Sequence, residues 1–370
     1  MPQRARILLL IPHLGGGGAE QVMALVARGL SRERFEVHLC LATQTDVAAA
    51  RLPPLPAWIA VHALGAKRVR AAMFPLLRLL WRLRPRAIFS GAPETNFLAL
   101  LLRPLLPPGM QVLVRQSTTV SAALSSGRLP GYTRLLYRLL YRRADCVICQ
   151  SRAMAADLAS ELGIGKEKIA VLPNPVDMEG ILAARKRAYA WKGKGPHLLA
   201  VGRLSREKGF DLLIEALAAV RKRYPEADLL IAGAGDEEMA LKEASRAQGL
   251  EAAVHFAGHV DCPYTLFPGA TLFVLSSRYE GMPNALIEAL AAGLPIVATP
   301  ASGGVVDLLR GRADAWLTER ISAGVLAATI VQALGRIENE GKAGGASRRV
   351  AAFPGATIPP PALPSARPAN

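Results

Sequence analysis

Glu280 and Glu288 stand eight positions apart in the stretch Ser276-Ser-Arg-Tyr-Glu-Gly-Met-Pro-Asn-Ala-Leu-Ile-Glu288. The apolar run Leu272 to Leu275 precedes them and reads as a strand. A helix is expected from about Pro283, a residue suited to the first turn because its missing N–H would be unpaired there anyway. With about 3.6 residues per turn, Glu288 falls one to two turns inside that helix. One carboxylate is therefore expected at the mouth of the strand and the other on the helix behind it. Gly281 lets backbone come close to a ligand. The helix N-terminus aims free N–H groups at the same mouth and favours an anion such as phosphate. An anion on the helix end and hydroxyls on two acids are the recognition needs of a sugar nucleotide.

Two further loops add to this chemistry. Gly15-Gly-Gly-Gly18-Ala-Glu-Gln-Val follows the first apolar run, and successive glycines let backbone amides approach a phosphate. The dinucleotide fingerprint G-x-G-x-x-G does not fit it, and no acid ends the second strand, so NAD is disfavoured. Val201-Gly-Arg-Leu-Ser-Arg-Glu-Lys-Gly-Phe210 carries Arg203 and Lys208. A diphosphate-bearing ligand would bring high negative charge to this loop. The chain has no Asp-x-Asp motif to hold a metal against it, and two fixed cations can do the same electrostatic work. Arg binds phosphate bidentately, whereas Lys acts as a point charge.

The elements that must position these groups are short apolar strands alternating with helical stretches, the pattern of parallel α/β units. Strands are expected at 7–11, 37–42, 87–90, 111–115, 146–149 and 169–172, then at 198–201, 228–232, 254–256, 272–275 and 295–298. The stretch 178–196 reads as a polar connection, which gives domains 1–190 and 191–340. Residues 341–370 are rich in Gly, Ala and Pro and read as a flexible tail. Two doubly wound domains would set their strand C-terminal ends across a shared cleft.

Composition narrows the classes. The 370 residues are 51% hydrophobic with a mean hydropathy of +0.24, enough for two cores. No apolar run reaches the roughly 18 residues of a membrane span. The run Ile7 to Ile11 is too short for a signal peptide. Four cysteines fit a reducing compartment, and the reading is cytoplasmic. Cys146 and Cys149 are expected on a buried strand, facing opposite sides. The net charge of +16 is lopsided, because residues 1–190 hold 26 Lys+Arg against 11 Asp+Glu. Residues 67–86 mix Arg with Leu, Phe and Trp. Residues 128–143 set Arg134, Arg138 and Arg142 at helical spacing beside Leu135, Leu136, Leu139 and Leu140. Such segments suit an anionic membrane surface; an ordinary amphipathic helix with leucines inward is the alternative for the second. No zinc-finger, recognition-helix or aromatic RNA-binding motif supports nucleic acid as a partner.

The Glu280-x7-Glu288 stretch, continuing through Ala292-Gly293, Pro295-Ile-Val-Ala and Gly303-Gly304, resembles the signature of retaining glycosyltransferases of family 4. That family has the GT-B fold, two Rossmann-like domains facing each other across a cleft. The Gly15–Gly18 loop, the Gly202-Arg203…Lys208-Gly209 pattern, Gly233-Ala-Gly-Asp236 and Phe256-Ala-Gly-His259 resemble it in the same order. The resemblance implies transfer of a sugar from a UDP- or GDP-sugar to a hydroxyl of a glycan or lipid-linked acceptor, with no metal or other cofactor. It assigns Glu280 to the donor sugar and Glu288 to the ribose, with Arg203 and Lys208 as the cations. It also places Gly17, Gly18, His259, Val260, Gly281, Met282, Pro283 and Asn284 around the donor.

In the first half, many relatives carry a His near the end of the 111–115 strand. Arg115, Gln116 and Ser117 occupy that neighbourhood here, with Asn96 nearby, and these are the expected acceptor residues. This variant resembles the subgroup that builds lipopolysaccharide and other bacterial surface polysaccharides, which implies a peripheral enzyme on the inner face of the membrane. His13, His38, His62, His197 and His255 read as structural. Same-face attack with the departing phosphate assisting deprotonation would need no catalytic His. Relatives end in a helix crossing back onto the first domain, and none is evident in this sequence. A GT-B nucleotide-sugar epimerase and a non-catalytic basic membrane-binding protein are the rival readings.

Overall fold

The computed structural model describes residues 4–15, 17–44, 55–125 and 133–342. Gly16, Arg128 and the expected tail beyond 342 lie outside the described residues. In the first domain the strands are β1 (Ala5–Ile11), β2 (Phe35–Thr43), β3 (Ala60–Ala66), β4 (Ala87–Ser90), β5 (Gln111–Arg115), β6 (Cys146–Cys149) and β7 (Ile169–Val171). Its helices are α1 (Gly18–Gly29), α2 (Met73–Leu83), α3 (Pro93–Leu102), α4 (Val120–Ser125), α5 (Thr133–Tyr141) and α6 (Arg152–Leu162). After α7 (Met178–Ala184) come β8 (His197–Val201), α8 (Phe210–Arg221), β9 (Asp228–Ala232), α9 (Glu238–Ala247), β10 (Val254–Gly258) and β11 (Leu272–Leu275). The described chain closes with α10 (Asn284–Ala291), β12 (Ile296–Ala298), α11 (Gly303–Leu309), β13 (Ala315–Leu317) and α12 (Ala323–Lys342).

Every strand pairing is parallel. The first sheet runs β3-β2-β1-β4-β5-β6-β7 and the second β10-β9-β8-β11-β12-β13. Parallel sheets are buried on both faces, so their strands read as near-continuous apolar runs. Leu8 and Leu10 of β1 enter the core under α2, α3, α5 and α6, while Leu9 and Ile11 enter the one under α1. In each sheet the strand order reverses once beside the first strand, between β1 and β4 and between β8 and β11. Such switch points open a crevice at the strand C-terminal ends. The Gly15–Gly18 loop leaves β1, and the loops bearing Lys208 and Glu280 leave β8 and β11.

Two sequence expectations change. Edge strands β3 and β13 were not foreseen; β3 is half-exposed and β13 is only three residues long, so neither presents an apolar run. The connection 178–196 opens with α7, whose Ile181 and Ala184 pack into the core of the second sheet together with Met178 and Trp191. Of the two readings of α5, the one with its leucines packed inward fails for three of the four. Tyr137, Leu140 and Tyr141 are buried, and Leu135, Leu136 and Leu139 are exposed. The tyrosines win because they stack edge-on against Phe97 and the Tyr141 hydroxyl meets Asn96 Nδ2. At the other end of the described chain, α12 packs on the second domain through Leu326, Ile330, Ala333 and Leu334.

Candidate active site

Glu280 sits in the loop after β11, and a single carboxylate oxygen takes two donors. Lys208 Nζ approaches it at 2.6 Å and Ser277 Oγ at 2.7 Å. The geometry of the Lys208 turn is built in. Gly209 has φ +62°, and a Cβ there would stand 2.2 Å from the Ser276 carbonyl. Only glycine fits both the left-handed backbone and that approach. Ser276 Oγ donates to the Lys208 carbonyl at 2.9 Å, which ties the turn to the end of β11. Arg278 clamps the turn from outside, with a two-pronged contact to Asp211 at 2.7 and 2.6 Å and a bond to the Arg206 carbonyl. The guanidinium holds the Asp211 carboxyl below its ordinary range. Arg203, on the same loop, is exposed and makes no ion pair among the described residues.

Glu288, on α10, is buried, and its Oε1 accepts from Gln21 Nε2 at 3.1 Å and Tyr264 Oη at 3.3 Å. Burial is the main reason that its carboxyl is pushed up to about 7, and the charge of Asp177 adds to the rise. The hydrogen bonds from Tyr264 and Gln21 oppose it. Gln21 belongs to α1 of the first domain, so the two domains meet at this acid.

Asn284 opens α10 and joins the halves a second time. Its Nδ2 donates to the Gly18 carbonyl at 3.0 Å, and its Oδ1 accepts from Asn174 Nδ2 at 2.7 Å. Asn174 in turn accepts from Arg115 Nη2 at 2.8 Å. A polar chain thus runs from the end of β5 through Asn174 and Asn284 to the glycine loop. A third contact lies beside it, where a Cβ on Gly281 would come within 2.3 Å of the Ser117 carbonyl. Glycine at 281 is what allows the 280–284 loop to touch the first domain.

The structure therefore brings Gly17, Gly18, Arg115, Ser117, Gly281, Asn284 and Glu288 to one interdomain seam, with Lys208 and Glu280 on the adjoining loops. Gln116 is buried beside Arg115 and donates to the Thr118 carbonyl. Asn96 is wholly buried and supports the strand end by donating to the Arg115 carbonyl. Met282 and Pro283 complete the loop before α10. His259 and Val260 follow β10; His259 is exposed and pairs with Asp261 at 3.3 Å, while Val260 packs into the second core. Gln21, Tyr264 and Asn174 were not singled out from sequence. The one local cue was Pro173-Asn-Pro175, which fixes a polar residue rigidly at the end of β7. Among the described residues no group of three or more His, Cys, Asp or Glu side chains is arranged to hold a metal.

Residues 16–179 match the family described as Glycosyltransferase Family 4, and residues 183–344 match Glycosyl transferases group 1. The chain is 32% identical over 286 residues to the lipopolysaccharide core biosynthesis glycosyltransferase LpsE of Rhizobium meliloti, spanning 73% of this chain and 76% of that one. It is 29% identical over 316 residues to an N-acetylgalactosamine-N,N'-diacetylbacillosaminyl-diphospho-undecaprenol 4-alpha-N-acetylgalactosaminyltransferase of Campylobacter jejuni, spanning 81% of this chain and 82% of that one. Among solved structures, Anabaena HepE in complex with UDP-glucose is similar with a TM-score of 0.72 at 19% identity, over 93% of this chain and 95% of that one. That last likeness concerns the fold. Two family matches divide the chain as its two parallel sheets do, and LpsE follows it through most of both, so the chain belongs to glycosyltransferase family 4 and has the GT-B architecture.

Proposed function

We propose that this chain is a retaining glycosyltransferase that moves a sugar from a UDP- or GDP-sugar to a hydroxyl of a glycan or lipid-linked acceptor in the synthesis of lipopolysaccharide or another surface polysaccharide. The observation that carries the reading is the Lys208–Glu280–Ser277 cluster beside the seam where Asn284 meets the glycine loop. A cation–carboxylate pair and a helix N-terminus then stand on loops at the same edge of the second sheet. In this reading Lys208 and Arg203 neutralise the departing nucleotide diphosphate. Glu280 holds the donor sugar and Glu288 the ribose. Arg115, Gln116 and Ser117 face the acceptor, and Asn96 supports them. His259 and Val260 line the base pocket. The acceptor hydroxyl attacks from the face the nucleotide leaves, and the departing phosphate takes its proton. No metal is needed for these roles. The names of LpsE and of the Campylobacter enzyme support the acceptor class.

The test is a panel of UDP-, GDP-, ADP- and CMP-sugars, first by thermal shift and then with glycolipid acceptors. A ligand that binds only the folded state raises the melting temperature. One nucleotide class is expected to raise it, and its sugar is expected to appear on the acceptor with the anomeric configuration retained. Sugar interconversion without any acceptor would identify an epimerase instead.

A second observation favours work at a membrane surface. On α2, Leu76, Leu79 and Leu80 face the core, whereas Phe74 is 74% exposed and Trp81 44%. Trp81 Nε1 donates to the Leu105 carbonyl, and Leu101 and Leu105 are exposed beside it. The exposed Leu135, Leu136 and Leu139 of α5 lie in the same helical layer, among the exposed Arg78, Arg82, Arg138 and Arg142. Apolar anchors ringed by cations match an anionic interface, and no helix among the described residues is long and apolar enough to cross a membrane. Vesicles containing phosphatidylglycerol should bind the protein at least about tenfold more tightly than phosphatidylcholine vesicles, at roughly 1 kcal/mol per engaged cation. The double variant Phe74→Ser/Trp81→Ser should lose most of that binding in co-sedimentation while keeping donor-induced thermal shift. Equal binding to neutral vesicles would remove the membrane from this reading.

A further inference from the structure

The first domain holds a buried cation with one donor that has no partner among the described residues. Arg115 ends β5 and is only 5% exposed. Nη2 is spent on Asn174, and Nη1 is buried with no hydrogen-bond partner. No carboxylate forms an ion pair with it among the described residues. Glu20, on α1, acts on it electrostatically from farther off. Burying a guanidinium in this way is costly unless an anion completes it. Three neighbours share the condition, Asn96 Oδ1 on α3 among them. Gln116 Oε1 and Gln150 Oε1 are also buried without a donor. The Gln116 backbone and the Gln150 side chain are neighbours, because the Gln116 N–H and the Gln150 side-chain amide both reach the Ile148 carbonyl, and Ile148 is the register partner of Arg115. The ends of β5 and β6 thus offer one unused cationic donor and two unused amide acceptors, at a sheet's carboxyl edge where ligands of doubly wound folds bind.

We propose that Arg115 is a specificity determinant for an acidic acceptor: a sugar whose carboxylate or phosphate takes Nη1 and whose hydroxyls donate to Gln116 and Gln150. An anion carrying hydroxyl donors is a ligand that serves a guanidinium N–H and amide oxygens together. The donor diphosphate is the less suitable occupant. Lys208 and Arg203 already stand on the second domain's loops, whereas Arg115 projects from the opposite sheet. Among the described residues its side-chain hydrogen bond toward the donor helix runs through Asn174 and Asn284. The proposal rests on the reading that the first domain receives the acceptor.

The experiment titrates the full chain, saturated with its preferred nucleotide, with three probes: methyl β-glucuronide, glucose 6-phosphate and methyl β-glucoside. Binding is followed by saturation-transfer NMR at about 0.3 M salt, where general attraction to a basic protein is screened. One anionic sugar should bind at least about tenfold more tightly than the neutral one, the worth of a charge-assisted contact. Which anion wins tells carboxylate from phosphate. Arg115→Gln should abolish the preference and leave nucleotide affinity within about twofold by the same conversion; Arg115→Lys should keep part of it, which separates lost recognition from lost folding. Equal binding of the three probes, a preference that survives in Arg115→Gln, or a loss confined to the nucleotide would each overturn the proposal. If no nucleotide binds but the preference for anions still depends on Arg115, the anion site stands and the glycosyl-transfer reading fails.

Discussion

Replacing Lys208 by Ala is expected to lower kcat by about two to three orders of magnitude while changing donor affinity far less, the scale seen when one preorganised charge is removed from a transition state. The ammonium lies 2.6 Å from Glu280 and is held by a turn that glycine and Ser276 fix in place. Its position is therefore set before substrate arrives, the condition under which a charge acts on the transition state without reorganising. The variant also leaves Glu280 with Ser277 as its remaining side-chain donor. Glu280→Gln should produce a loss of similar size by a different route, because an amide cannot hold the ammonium with a full charge. The double variant should be little worse than either single one, since residues that act as a unit are not additive. Transfer measured with saturating donor decides the matter. A Lys208→Ala enzyme within threefold of wild type would dismiss the ammonium from the chemistry.

How much of this was visible in the sequence depends on how local each feature is. Strands β4, β5, β6, β9 and β11 fall where apolar runs placed them, because a strand buried on both faces needs no partner to be recognised. Edge strands β3 and β13 escaped, being too short or too exposed to carry that pattern. The same contrast holds at the site. Glu280, Lys208 and the glycine loops follow from motif spacing within single loops. The partners of Glu288 do not, since Gln21 is 267 positions away and meets it only when two domains close. Asn174 and Asn284, 110 positions apart, are the same case. On α5 the sequence left two arrangements open, leucines outward at a surface or inward on the core. Leucine and tyrosine both repeat there, and only the presence of Phe97 and Asn96 opposite decides for tyrosine.

Glu288→Gln should stabilise the free protein at pH 8 and weaken its grip on the nucleotide, opposite effects from one atom exchange. Burial pushes the Glu288 carboxyl up to about 7 from an ordinary 4.5. Asp177 faces it as well, and Gln21 and Tyr264 restrain the rise without cancelling it. Between those two values the unfolded chain has released this proton and the folded chain still holds it. Stability therefore falls as pH rises through the window and stays depressed above 7. An isosteric amide removes the penalty, so the variant should gain on the order of 2 kcal/mol at pH 8, roughly 4–8 °C in melting temperature, and almost nothing near pH 4.5. Ribose hydroxyls, however, donate best to a charged carboxylate. Nucleotide affinity of the wild type should accordingly increase as pH rises through 7, with proton release on binding below it, and the variant should lose about tenfold or more at pH 8. Calorimetry in two buffers of different ionisation enthalpy reads the released proton directly. A variant that binds nucleotide as tightly as wild type, with the same pH dependence, would mean that Glu288 is a structural acid shared between Tyr264 and Gln21 and that the ribose is recognised elsewhere.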